Sequence, residues 1–86
     1  MSEKIRSTCP VFPNLMFEEA TLPNGQPTLS AYVGKKQAKA ILRKFKPRSY
    51  LPRKFGKKRR KELGRCGDKL YWITNRAGRF TIDTSR

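Results

Sequence analysis

The 86-residue chain has no histidine, and its six acidic residues are scattered rather than paired. Without a side chain that titrates near neutral pH or a carboxylate dyad, acid–base catalysis has little to stand on, so the chain reads as a non-enzyme. Cysteine is scarce too: Cys9 and Cys66 lie 57 positions apart. Two thiols and no imidazole fall short of the roughly four ligands of a structural zinc site, so no metal or other cofactor is expected. A disulfide between them stays open as an alternative, but two free thiols in a reducing compartment are the expected state. No apolar run approaches the ~20 residues needed to cross a bilayer, and no membrane partner is expected. The opening Met1-Ser2-Glu3-Lys4-Ile5-Arg6 lacks the apolar stretch of a signal peptide. The expectation is therefore a cytoplasmic, nucleoid-associated protein, or one acting in a nucleus or virion. A phosphate-binding glycine loop is also missing, because Gly34-Lys35-Lys36 has no partner glycine at the P-loop spacing.

What the chain has in abundance is positive charge. Lys and Arg number 21 against six acids, a net charge of +15. Residues 1–33 are nearly neutral, with Lys4 and Arg6 against Glu3, Glu18 and Glu19. Residues 66–86 carry only a small excess, with Lys69, Arg76, Arg79 and Arg86 against Asp68 and Asp83. The middle third, residues 34–65, holds 15 Lys and Arg against Glu62 alone. Solvated surfaces usually mix both signs, and a one-signed tract of this density opposes compaction unless a counter-charge is bound. It reads as a surface for a polyanion. An inert, solubilising tract is the bland alternative.

A chain this short forms at most one domain with a thin core. Cys9-Pro10 and Phe12-Pro13 favour extended backbone, so residues 1–13 read as a flexible arm ahead of a single small domain over 14–86. Leu15–Leu22 and Thr28–Val33, separated by a stretch containing Asn24-Gly25, read as a β-hairpin. The segment Gly34–Phe45 is the clearest helix, with Ala38, Ile41, Leu42 and Phe45 on one face and cations around the rest. Pro47 ends it. Residues 47–55 form a loop in which Arg48, Arg53 and Lys54 interleave with Tyr50 and Phe55. A second, very basic helix is expected over Lys57–Leu63, closed by Gly64 or Gly67 as a C-cap. Five consecutive cations oppose such a helix until phosphates neutralise them. The aromatic and β-branched segments 69–74 and 79–84 form a second hairpin around Asn75-Arg76-Ala77-Gly78. A type I turn with a bulge would set Leu70, Trp72 and Thr74 beside Phe80 and Ile82, whereas a shifted register would set Tyr71 and Ile73 there. Trp72 is expected in the core.

The expected fold class is thus α+β, one or two helices with two hairpins. The order basic helix, proline turn, basic helix and hairpin over residues 34–84 resembles a winged helix-turn-helix. That resemblance is architectural and implies a recognition helix at 57–65 in a DNA major groove, with Arg76 at the wing tip. The candidate nucleic-acid contacts are Lys39, Arg43, Arg48, Tyr50, Arg53, Lys54, Lys57, Lys58, Arg59, Arg60, Lys61, Arg65, Arg76 and Arg79. The arginines suit phosphate and guanine edges, and Tyr50 suits stacking on an unpaired base. The implied function is a small DNA-binding accessory or regulatory factor, excisionase-like or transcriptional, of the kind phages and mobile elements encode. DNA is favoured over RNA as the partner. The alternatives are an RNA- or ribosome-binding protein, and a basic protein that docks on and inhibits an acidic protein.

Overall fold

Alternation of apolar and polar side chains, rather than helical periodicity, dominates the architecture. The computed structural model describes residues 5–22, 25–52 and 59–85. It contains strands β1 (Ile5–Arg6), β2 (Met16–Thr21) and β3 (Pro27–Val33), helix α1 (Lys35–Phe45), and strands β4 (Arg60–Cys66), β5 (Lys69–Arg76) and β6 (Arg79–Ser85). The strands form one antiparallel sheet in the order β1-β2-β3-β6-β5-β4.

This overturns the α+β winged helix-turn-helix. One short helix, α1, is the only helix among the described residues, and the second helix expected over 57–63 is replaced from Arg60 onward by the edge strand β4. The physical reason is charge spacing and pairing. A helix would stack like charges at i and i+4, whereas a strand points Arg60 and Glu62 to one face and Lys61 to the other. β5 supplies a full hydrogen-bonding partner for β4. Gly64 is not a helix cap but part of a bulge in β4, with φ of 142°. A Cβ there would lie 3.3 Å from the Phe45 ring, so glycine lets α1 seat against the edge strand. Gly67, with φ of 66°, makes the β4–β5 turn.

Register decides what each sheet face carries, because residues directly opposite one another share a face. Leu29, Thr84 and Tyr71 form one row, and Ala31, Ile82, Ile73 and Lys61 the next. This is the face α1 covers. Ala38, Ile41 and Leu42 on the helix join Leu63, Tyr71, Ile73 and Ile82 in the core. The opposite face carries Ser30, Asp83, Trp72 and Glu62 in one row and Tyr32, Thr81, Thr74 and Arg60 in another. Trp72 is therefore half-buried on the face without the helix, and its neighbour Tyr71 fills the core position expected for it. The turn between β5 and β6 explains the difference. Ala77 and Gly78 both have positive φ, 53° and 87°, and Arg76 pairs directly with Arg79. That is a two-residue type I′ loop, and it sets Ile73, not Trp72, beside Ile82.

The segment read as an arm joins the fold. β1 pairs with β2, and Ser7 N–H donates to the Leu15 carbonyl at 2.9 Å. Cys9, Phe12 and Leu15 are buried. Phe12 meets Tyr71 edge-on with ring centroids 4.9 Å apart, and lies 6.3 Å from Phe17 and from Phe45. Cys9 and Cys66 are bonded to each other, which corrects the expectation of free thiols. Cross-linking residues 57 positions apart constrains the unfolded chain by roughly 4 kcal/mol in the loop-entropy picture. It also ties the segment before β2 to the end of the edge strand.

Candidate nucleic-acid interface

Four of the expected contact residues lie outside the described residues: Arg53, Lys54, Lys57 and Lys58. The others can be placed. Lys39 and Arg43 are one turn apart on α1, so they stack on one exposed helix face. Past the helix, Ser49 N–H donates to the Lys46 carbonyl at 3.0 Å and folds the chain back on itself. Arg48 and Tyr50 are thereby brought beside the helical pair, and Lys39, Arg43, Arg48 and Tyr50 line a hollow of about 300 Å³. Tyr50 is 85% exposed, and its carbonyl accepts a 2.7 Å hydrogen bond from Lys61 Nζ on β4.

Tyr50 also lines a second hollow of about 420 Å³, together with Lys46, Arg60, Lys61 and the acid Glu62. Arg60 in turn lines a third, of about 640 Å³, with Arg59, Thr74, Arg76 and Asp83. Shared walls make the three hollows one continuous track. It runs from the exposed side of α1, around the β4 edge, to the helix-free face of the sheet. Asn75 holds the track together from beneath. Its Nδ2 donates to the Pro52 carbonyl at 2.9 Å, and its backbone N–H to the Arg59 carbonyl at 2.7 Å. Its Oδ1 accepts from Gly78 N–H at 2.9 Å. One buried residue thus fixes the loop bearing Tyr50 and the β5–β6 turn through its side chain and the start of β4 through its backbone.

On the helix-free face the Arg60 guanidinium lies 4.3 Å from the centre of the Trp72 ring, a cation–π contact that orients the guanidinium over the ring. Asp83 is fully buried. Its carboxylate accepts from the hydroxyls of Ser30 and Thr74 and lies 4.0 Å from an Arg76 guanidinium nitrogen. Arg76 is therefore positioned at the base of the turn by a buried counter-charge while its side chain stays 41% exposed. Arg79, directly opposite Arg76, extends the cluster at this end of the sheet. Arg65 does not join it. It faces Leu70 near the disulfide end of β4, about 16 Å along the strand from Arg60.

Two contributors were missed from the sequence. Lys46 lines the second hollow. Tyr32 projects from the helix-free face and is 69% exposed. The signal for Tyr32 was present in the alternation, since buried Leu29 and Ala31 leave Tyr32 facing outward. Of the other aromatics, Tyr71 is enclosed in the core and Phe55 lies outside the described residues. Compared with known proteins, the chain matches no family model, no curated protein and no solved structure at a significant level.

Proposed function

We propose that the protein binds RNA, holding the phosphates along the track from Lys39, Arg43 and Arg48 past Lys46, Arg60 and Lys61 to Arg59 and Arg76. The observation that carries this reading is the continuity of the track: cations from a helix, a loop, an edge strand and a hairpin meet through shared walls at Tyr50 and Arg60. Phosphate binding needs cations at intervals along a path, and residues 34–65 contain a single acid to offset them. RNA is preferred to DNA because the segment assigned to a groove-reading helix is a strand from Arg60 onward. The winged-helix argument for an accessory DNA-binding role goes with that helix. An antiparallel sheet with exposed aromatic and arginine side chains suits RNA recognition instead.

Titration of a labelled RNA at increasing salt tests the proposal. With six to eight phosphate contacts at about −0.7 each on a single strand, log K against log salt should fall with a slope of about −4 to −6. A slope near zero, or no binding in low salt, would contradict it.

A further inference from the structure

The helix-free face of the sheet differs in kind from the basic track that leads to it. The last hollow of the track opens on this face, where Arg60, Arg76 and Arg79 stand beside the exposed carboxylate Glu62, with Asp83 buried beneath Arg76. Carboxylates repel phosphates but accept hydrogen bonds from base amino groups. A strand whose phosphates meet Arg59, Arg60 and Arg76 at the end of the track would therefore turn its bases toward Glu62 and the rest of this face.

Two aromatic platforms wait there. Trp72 lies under the Arg60 guanidinium, whose far side is a flat cationic surface of the type on which bases stack. Tyr32 stands in the same cross-strand row as Arg60, with β6 and β5 between them. Three strand spacings separate the two positions, about 14 Å. On sheets of other RNA-binding modules a comparable surface seats two or three bases. Beside Arg60 is the cavity of about 640 Å³, walled by Leu22 on one side and by Thr74, Asn75 and Arg76 on the other. Its size falls in the range of pockets that enclose a small aromatic ligand, and its walls combine apolar surface with hydrogen-bonding groups. Leu22, in the loop just past β2, thus reaches the same cavity as residues of β4 and β5.

Resting on the RNA-binding reading, we propose that the ligand is single-stranded, with one unpaired base in the cavity lined by Arg60, whose guanidinium covers the Trp72 ring, and another stacked on Tyr32. A duplex keeps its bases stacked on one another, so it can use the phosphate track but not these platforms.

Trp72 is the sole tryptophan, so its fluorescence reports on this face without a label. The test compares a ten-nucleotide mixed-sequence RNA strand with its blunt duplex, at one salt concentration, by Trp72 quenching and by anisotropy of a labelled copy. The strand should bind about tenfold or more tighter than the duplex and should quench Trp72, because each stacked base contributes appreciably to affinity. Tyr32→Ala should weaken strand binding about fivefold or more and leave duplex binding unchanged. Tyr32 is largely exposed, so the fold should tolerate the change. Equal affinity for strand and duplex without quenching would overturn the base-seating proposal while the phosphate reading stands. No binding of either ligand in low salt would overturn both.

Discussion

On one face of the sheet Tyr71, Ile73 and Ile82 are almost wholly enclosed by α1 and by the segment around Phe12. One residue away along the same strands, Trp72, Thr74 and Asp83 belong to a face with a cavity, a cation–π pair and no helix above it. The strands are the same, and only the parity of position differs. That parity is set by Ala77 and Gly78, whose positive φ values make the turn two residues long. The comparison separates a face closed by apolar packing from one where buried Asp83 and Thr81 lie among side chains open to a ligand, Arg60, Tyr32 and Arg76, and each prediction below tries to break that separation.

The largest effect should come from the enclosed face. Tyr71→Ala should destabilise the protein by about 3–5 kcal/mol, since it removes a buried ring that also packs edge-on against Phe12. Trp72→Ala should cost less, about 1–3 kcal/mol, because that ring is half-buried under the Arg60 guanidinium rather than enclosed in the core. Chemical denaturation of the two variants checks this, and equal losses would remove the distinction between the faces. Reducing Cys9–Cys66 should lower stability by about 2–4 kcal/mol, read as a fall in Tm on adding reductant. An unchanged Tm would show that the N-terminal segment is held by packing alone. Gly78→Val should cost about 1–3 kcal/mol, because a β-branched residue is strained at a φ of 87°. If the turn relaxes to another length instead, Trp72 fluorescence should shift as the faces exchange. Arg76→Ala removes the cation 4.0 Å from the buried Asp83 carboxylate, so it should cost about 1 kcal/mol of stability and weaken RNA binding by about 1–2 kcal/mol, measured by denaturation and anisotropy.

Parts of this arrangement were readable in the sequence. The stripe Ala38, Ile41, Leu42 marked α1 because helical spacing and helix-forming residues agreed. Both hairpins formed where the strand-forming residues placed their strands. β4 was not readable, because local charge gave no hint of a strand; its conformation is decided by pairing with β5 and by the single buried Leu63. The register of β5 on β6 was also hidden, since it depends on Ala77 accepting a left-handed backbone that alanine seldom adopts. Pro10 and Pro13 suggested an unpacked arm, yet Cys9, Phe12 and Leu15 supply a side of the core that one helix cannot cover. For the candidate site, the described cations that composition singled out lie at the surface, with Lys61 half-buried, but what brings them together is the tertiary placement of Tyr50 and Arg60, which no spacing in the chain encodes.

The central claim is that the position of the charge, not its total, creates the interface. It is tested most directly by two triple variants that remove equal charge. Lys39→Ala, Arg43→Ala and Arg48→Ala together empty the first hollow of its cations, and alanine suits the two helical sites. Arg6→Ala, Arg65→Ala and Lys69→Ala together remove three charges away from the track. Salt titrations on one RNA should show the first variant losing about two units of slope and binding about tenfold or more weaker at moderate salt, with the second close to the parent protein. Equal losses in the two variants would contradict the account.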